Sequence, residues 1–139
     1  SIVQDLARRH DIDEVYLMGF SQGAILAYLT GIKHHRVFRG IICLSGPGLL
    51  APLVNPFAGP FNPAWLAEEF IQDAGELRVF MTHGKDDQVP YELGTRSRDI
   101  LLKHGYDVTF RDFDGGHTLP PEEILAQIVK WIKNPHQAT

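Results

Sequence analysis

The sequence predicts an α/β fold in which a mostly parallel sheet is flanked by helices. Short, continuous apolar runs at 15–20 and 41–44 leave little room for polar alternation, which is typical of strands buried on both faces. Segments with apolar residues at helical spacing alternate with these runs. Strands that alternate with helices of about 10 to 15 residues favour parallel β-α-β units.

Length and composition favour one domain over residues 1–139. Of the 139 residues, 44% are hydrophobic and 22% are charged, as in ordinary globular proteins. The formal charge is -4 and the sequence has no long basic run, which argues against nucleic-acid binding. The apolar runs are far shorter than the roughly 20 residues that span a bilayer, so no membrane span is predicted.

In the first half of the chain, apolar spacing and turn residues define the elements. The predictions are a helix end at 2–10, a strand at 15–20, a buried helix at 24–32 and a strand at 37–44. Ser45-Gly46-Pro47-Gly48 then predicts a turn. Residues 49–63 combine four prolines with large apolar side chains, which predicts an ordered excursion without regular structure.

In the second half, strands and helices continue to alternate. The predictions are a helix at 64–74, a strand at 77–82, a helix at 91–104 closed by Gly105, and a strand at 108–113. Pro120 and Pro121 suit the first turn of a last helix, and Lys130 and Lys133 suit its last turn. One face of this helix is predicted to be apolar and to comprise Ile124, Leu125, Ile128, Val129 and Ile132.

The junction between the first strand and the following helix carries a chemical motif. Gly19-Phe20-Ser21-Gln22-Gly23 fits Gly-x-Ser-x-Gly in a strand-turn-helix context, which predicts a strained turn that exposes the Ser21 hydroxyl. Gly19 and Gly23 are expected to remove side chains that would clash with the strand and the helix. The alternative is a glycine-flanked loop in which Ser21 only caps the helix.

A serine hydroxyl is a poor nucleophile unless a base activates it and a third group orients that base. His117 lies in Gly115-Gly116-His117-Thr118, directly after a predicted strand, where its side chain can project over the carboxyl edge of the sheet. His83 ends the third strand beside Asp86 and Asp87, and we expect a structural histidine held by hydrogen bonds there. The sequence therefore predicts Ser21 and His117 as nucleophile and base.

Three motifs together resemble one protein family. They are Gly-Phe-Ser-Gln-Gly-Ala at 19–24, His-Gly-x-x-Asp followed by Val-Pro at 83–90, and Gly-Gly-His at 115–117. This combination is similar to the phospholipase and carboxylesterase branch of the α/β-hydrolase superfamily, to which acyl-protein thioesterases also belong. The resemblance implies an α/β-hydrolase-type sheet, and its order of serine, acid and histidine differs from that of chymotrypsin-like and subtilisin-like proteases.

The resemblance also implies that an aspartate orients the imidazole, and two candidates are adjacent. The family spacing counted from His83 selects Asp87, whereas the spacing counted back from Val89-Pro90 selects Asp86. Because the distance from the strand end fixes the reach of the loop, we favour Asp87 and retain Asp86 as the alternative acid.

The family forms its oxyanion hole from two backbone N–H groups. One belongs to the residue after the nucleophile, here Gln22, and the other to a loop after an earlier strand. Only 20 residues precede Ser21, and they are assigned to a helix and the nucleophile strand. We therefore expect the chain to be the C-terminal portion of a longer hydrolase. The N-terminal strands of the fold would then lie outside these 139 residues.

The resemblance implies cleavage of a small-molecule acyl ester or thioester through an acyl-enzyme intermediate, with no metal or organic cofactor. Apolar residues after the second strand are equally suited to an acyl pocket, to core packing or to a contact in a homodimer. They are Leu49, Leu50, Leu53, Phe57, Phe61 and Trp65. The single cysteine, Cys43, has no partner for a disulfide, which favours a reducing, cytoplasmic location.

Two alternatives remain open at the level of sequence. One is an α/β-hydrolase-like domain, or an inactive fragment, that binds a partner or ligand without turnover. The other is a different hydrolase of this fold, such as a dienelactone hydrolase, whose usual nucleophile is cysteine. Ser21 at the predicted turn fits the second alternative less well.

Overall fold

The computed structural model describes residues 2–10, 14–46 and 68–133. Its helices are α1 (Ile2–Arg9), α2 (Gln22–Lys33), α3 (Glu68–Asp73), α4 (Tyr91–Lys103) and α5 (Glu122–Lys133). Its strands are β1 (Tyr16–Phe20), β2 (Gly40–Leu44), β3 (Arg78–Gly84) and β4 (Asp107–Phe113). Within the described ranges, the predicted alternation of strands and helices is confirmed.

The four strands form one parallel sheet in the order β1-β2-β3-β4. Gly19 pairs with Cys43, Cys43 with Met81, and Met81 with Phe110. Because all the strands run in the same direction, their carboxyl ends meet at one edge. The loops that follow β1, β2, β3 and β4 therefore begin side by side, which is where sheets of this type place their functional groups.

Helices cover both faces of β2, as its apolar sequence predicts. In β1, which was also predicted to be buried on both faces, Met18 is 60% exposed and Phe20 is 38% exposed, so that prediction is wrong for the first strand. In β2, Ile41 and Cys43 join a buried cluster with residues of α2, α3 and α4. Ile42 and Leu44 point to the opposite face and pack with α5. Since successive side chains of a strand alternate between faces, a strand covered on both sides must be apolar at every position.

The start of the second strand differs from the prediction of 37–44. β2 begins at Gly40, and the Val37 N–H donates to the His34 carbonyl at 2.9 Å in a turn that follows α2. Val37 and Phe38 are half-buried there. Their apolar side chains pack without joining the ladder, so burial alone extended the predicted strand too far.

Only part of the predicted apolar face of α5 is buried. Ile124, Ile128 and Trp131 are buried, whereas Leu125 is 38% exposed and Val129 is 51% exposed. The buried residues have the i, i+4, i+7 spacing of a single stripe, and Leu125 and Val129 each lie one position, about 100°, further round the helix. Leu125 and Val129 therefore lie on the predicted apolar face but outside its buried stripe.

Some predictions concern residues outside the described ranges. They include the proline-rich excursion at 49–63, the first residues of the predicted helix at 64–74, and the acyl-pocket candidates from Leu49 to Trp65. Within the described part of the chain, no helix combines the length and apolar character needed to cross a membrane.

Candidate active site

Ser21 occupies the tight turn between β1 and α2. Its φ of 58° and ψ of -115° lie in a region that residues with a side chain rarely adopt. Its N–H donates to the Leu44 carbonyl of β2 at 2.8 Å, and its carbonyl accepts the Ala24 N–H at 3.0 Å. These two bonds fasten the strained residue to the sheet on one side and to the first turn of α2 on the other.

The two glycines of the motif differ in what they contribute. A Cβ at Gly19 would overlap the Gly23 carbonyl and lie 2.7 Å from the Ala24 nitrogen. At Gly23, an added Cβ would meet no described atom within 4 Å. The expected steric requirement therefore holds at Gly19 and fails at Gly23, because α2 approaches β1 through the Gly23 main chain.

The structure brings Ser21, His117 and Asp87 together in one line of hydrogen-bonding groups. The Ser21 Oγ lies 2.7 Å from Nε2 of His117, and Nδ1 of His117 lies 3.0 Å from each carboxylate oxygen of Asp87. A carboxylate accepts hydrogen bonds, so this network assigns the imidazole proton to Nδ1. Nε2 is then the acceptor for the Ser21 hydroxyl.

Asp87 and its neighbour Asp86 have different surroundings. The Asp87 side chain is 0% exposed, and its Oδ1 accepts the Val89 N–H at 2.9 Å. Asp86 is exposed and contributes its backbone N–H to the Gly115 carbonyl at 3.0 Å. The turn after β3 thus directs the Asp87 carboxylate inward to His117 and the Asp86 carboxylate toward solvent.

The loop that carries His117 packs closely against the end of β3. A Cβ at Gly84 would overlap the carbonyls of both Gly115 and Gly116, so this close approach requires glycine at position 84. The Phe20 ring lies 5.3 Å from the imidazole, centroid to centroid. His117 itself remains 26% exposed, which leaves its ring accessible from solvent.

His83 is buried and supports the same turn. Its Nε2 donates to the Val89 carbonyl at 2.9 Å, while the Val89 N–H donates to Asp87. Its ring also packs edge-on against Tyr91, with centroids 5.8 Å apart. The expected structural histidine is therefore confirmed, with one side-chain hydrogen bond that holds the loop bearing Asp87.

Ser45 is a site residue that the sequence did not single out. It is fully buried directly after β2, and its hydroxyl donates to the Thr118 carbonyl at 2.8 Å. The sequence signal was its position at the carboxyl end of a buried strand, in a segment that we interpreted only as a turn.

Gln22 is the first residue of α2, so its N–H lies at a helix N-terminus. The first N–H groups of a helix have no acceptor within it, and the helix dipole is positive there. This location suits the stabilisation of a developing oxyanion beside Ser21. Among the described residues, no group of three or more His, Cys, Asp or Glu side chains is arranged to hold a metal ion.

Comparison with known proteins identifies the family of this chain. The model of the phospholipase/carboxylesterase family matches residues 1–136. The chain belongs to the phospholipase/carboxylesterase family. This membership, with the parallel sheet flanked by helices, confirms the predicted α/β-hydrolase fold.

Several known proteins are similar to this chain in sequence or structure. Acyl-protein thioesterase 1 of Neurospora crassa is 35% identical over 116 residues, which cover 82% of this chain and 43% of that protein. Carboxylesterase SOBER1 of Arabidopsis thaliana is 27% identical over 134 residues, which cover 95% of this chain and 53% of that protein. The crystal structure of SOBER1 superimposes with a TM-score of 0.67 at 24% identity, covering 96% of this chain and 59% of that structure. The chain thus spans about half the length of the curated relatives it matches.

Proposed function

We propose that this protein is a serine hydrolase that cleaves carboxylic esters or thioesters through an acyl-enzyme intermediate. The observation that carries the proposal is the continuous contact from Ser21 Oγ to His117 Nε2 at 2.7 Å and from His117 Nδ1 to Asp87 at 3.0 Å. A hydroxyl, an imidazole and a buried carboxylate in this order are what nucleophilic acyl transfer requires.

In the proposed first step, Ser21 is the nucleophile. Its oxygen forms a bond to the carbonyl carbon of the substrate while His117 Nε2 accepts the hydroxyl proton. The Gln22 N–H stabilises the charge that develops on the carbonyl oxygen. His117 then donates the proton to the leaving alcohol or thiol as the bond from the acyl carbon to that group breaks.

In the second step, water takes the place of the alcohol or thiol. His117 accepts a proton from water, whose oxygen attacks the acyl-enzyme carbonyl, and the proton returns to Ser21 as the acid product leaves. Asp87 stabilises the imidazolium that forms in each half-reaction and holds Nδ1 in its protonated form. The chemistry balances with water as the sole co-substrate.

The surroundings of His117 favour a substrate with an apolar acyl group. Phe20, 38% exposed, packs against the imidazole, and Leu119, 53% exposed, lies two residues after His117 in the chain. Exposed apolar side chains beside a reacting group favour apolar ligands. The relatives named acyl-protein thioesterase and carboxylesterase support thioester and ester substrates alike. For this protein we propose a small-molecule ester or thioester, in a reducing cytoplasmic compartment that suits the buried Cys43 thiol.

Labelling with a fluorophosphonate tests the proposal, because this probe reacts with an activated serine. The assay uses the protein encoded by the complete open reading frame, since the matched relatives are about twice as long as the matched segment. We expect one label per chain at Ser21, located by peptide mass spectrometry, and turnover of p-nitrophenyl esters. The Ser21→Ala variant is the matched control and should remain unlabelled.

The same experiment separates the proposed enzyme from a binding domain. A domain that binds ligands without turnover would fold, remain unlabelled at Ser21 and leave p-nitrophenyl esters intact. That outcome would overturn the hydrolase assignment.

A further inference from the structure

Ser45, like Ser21, has a positive φ, which is unusual for a residue other than glycine. Among the residues that the structure describes, positive φ at a residue other than glycine occurs at Ser21, with φ 58°, and at Ser45, with φ 53°. An L-residue avoids this region because its Cβ crowds the neighbouring backbone. The conformation at Ser45 is therefore maintained by its surroundings, and strained residues of this kind cluster at functional sites.

The surroundings of Ser45 tie three parts of the molecule together. Its N–H donates to the Thr82 carbonyl of β3 at 3.0 Å. Its Oγ donates to the Thr118 carbonyl at 2.8 Å, in the loop that carries His117. Ser45 is 0% exposed, so its N–H and its hydroxyl are both shielded from solvent. The residue is thus fixed to the sheet by its backbone and to the histidine loop by its side chain.

Two consecutive residues, Leu44 and Ser45, link the Ser21 turn to the His117 loop by hydrogen bonds. The Leu44 carbonyl accepts the Ser21 N–H at 2.8 Å, and the Ser45 hydroxyl holds the carbonyl of the residue after His117. Gly46 continues this path against α2, where a Cβ would lie 3.2 Å from the Ser21 carbonyl oxygen. The end of β2 therefore sets the distance between the Ser21 turn and the His117 loop.

The other fastenings of the histidine loop lie mostly before His117. The Lys85 N–H donates to the Phe113 carbonyl at 2.9 Å, and the Asp86 N–H donates to the Gly115 carbonyl at 3.0 Å. The Ser45 bond acts on the opposite side of His117, at Thr118. A loop held on both sides of a residue restricts the position of that residue more than a loop held on one side.

We propose that Ser45 is a positioning residue for His117: its hydroxyl holds the Thr118 carbonyl so that the imidazole stays within hydrogen-bonding distance of Ser21. This inference rests on the proposed function, because its kinetic consequence requires His117 to act as the base. Ser45 acts through the loop, and its own hydroxyl is engaged as a donor to the Thr118 carbonyl.

Two substitutions separate positioning from stability. Ser45→Ala removes the hydroxyl and keeps a Cβ at positive φ, whereas Ser45→Gly removes the hydroxyl and relieves the strain. We expect kcat for a p-nitrophenyl ester to fall about 10- to 100-fold in both variants, with KM changed less than about twofold, because misplaced catalytic groups lower turnover. The glycine variant should have the higher Tm of the two while remaining equally slow.

Thr95→Ala is the matched control, because the Thr95 hydroxyl also donates to a backbone carbonyl, that of Glu92, at 3.1 Å in α4. We expect wild-type kcat in this variant. If kcat in Ser45→Gly returned to the wild-type value, or if both Ser45 variants stayed within about twofold of wild type, Ser45 would be only a structural residue and the inference would fail.

A spectroscopic measurement keeps this test separate from the test of the hydrolase itself. In nuclear magnetic resonance, the proton that His117 Nδ1 shares with Asp87 gives a low-field signal that needs no turnover to be observed. We expect this signal in wild type and in Thr95→Ala, and its broadening or loss in both Ser45 variants. A protein without label at Ser21 would refute the hydrolase, and an unchanged low-field signal in the Ser45 variants would refute the positioning role.

Discussion

The sheet has an amino edge, where its strands begin, and a carboxyl edge, where they end. Each of these edges holds a buried charged side chain whose partner is partly exposed. At the carboxyl edge the Asp87 side chain is 0% exposed and pairs with His117, which is 26% exposed. At the amino edge the Arg78 side chain is 3% exposed and pairs with Asp107, which is 29% exposed. Burial and ion pairing alone therefore do not distinguish an active site from a structural contact.

The two edges differ in the backbone that carries these charges. Arg78 is the first residue of β3; it donates to the Tyr16 hydroxyl at 3.1 Å and the Trp131 carbonyl at 3.2 Å, and its guanidinium lies 4.2 Å from the Trp131 ring centroid. These contacts join the sheet to the end of α5. At the carboxyl edge the polar groups follow the strands in turns, with positive φ at Ser21 and Ser45. Strained residues cluster at functional sites, which supports the proposed site at the carboxyl edge.

The largest expected effect concerns the nucleophile. We predict that Ser21→Ala lowers ester hydrolysis by about 10⁵-fold or more, because no other hydroxyl takes its place in the acyl-transfer step. Circular dichroism and the denaturation midpoint should stay close to those of wild type, since the hydroxyl contributes little packing. Equal activity in wild type and variant would show that Ser21 is not the nucleophile and that the reaction does not take place at the carboxyl edge.

The second prediction concerns the acid at the carboxyl edge. Asp87→Asn should lower kcat by roughly 10⁴-fold, because an amide no longer holds the Nδ1-protonated imidazole or stabilises its charged form. Asp86→Asn is the matched control, since the Asp86 side chain is exposed, and it should keep most of its activity. Steady-state kinetics on both variants decide the matter, and a reversed pattern would identify Asp86 as the acid.

The third prediction concerns the amino edge and addresses stability. Asp107→Asn leaves the Arg78 charge buried without its carboxylate and should lower the free energy of unfolding by about 3 kcal/mol. Arg78→Leu leaves a carboxylate that water can reach and should cost less, about 2 kcal/mol. Urea denaturation measures both values.

These amino-edge variants should retain wild-type kcat in the folded protein. A drop in kcat larger than about threefold with intact folding would show that the two edges are coupled, and the contrast between them would no longer hold.

The smallest expected effect concerns the interior between the edges. Burial raises the pKa of the Cys43 thiol in the folded protein. In the unfolded chain a cysteine thiol has a pKa near 8.5. Above that pH the unfolded chain loses the thiol proton while the folded protein keeps it, so the free energy of unfolding falls as pH rises. The loss of stability from this group is on the order of 1 kcal/mol by pH 9.5.

Cys43→Ala should therefore flatten the decline in unfolding free energy between pH 8 and pH 9.5, and it should leave ester hydrolysis unchanged. Urea denaturation across this pH range provides the measurement. If the unfolding free energy fell with pH equally steeply in wild type and Cys43→Ala, the thiol would ionise as readily in the folded state as in the unfolded chain. A loss of activity would show that the buried Cys43 contributes to the active site.

Much of the sheet was predictable because its signals are local. The apolar runs located the four strands, and the glycine, serine and histidine motifs located Ser21 and His117 at their carboxyl ends. The difference at the start of β2 arose from a local turn after α2, whereas the difference at α5 arose where a long-range contact decides the outcome. Leu125 and Val129 have the residue type of a buried helical face, but only the angle at which α5 meets the sheet determines which stripe is covered.

The sequence by itself determined the residue types at the site and the order in which the chain presents them. Only the tertiary structure decided which acid faces His117, which glycine of the motif is sterically required, and that Ser45 holds the histidine loop. The physical reason is that hydrogen bonds and steric overlap act over a few ångströms between residues far apart in the chain, such as Ser45 and Thr118. The number of residues between two positions does not give their distance in space, because that distance is set only when the strands pair.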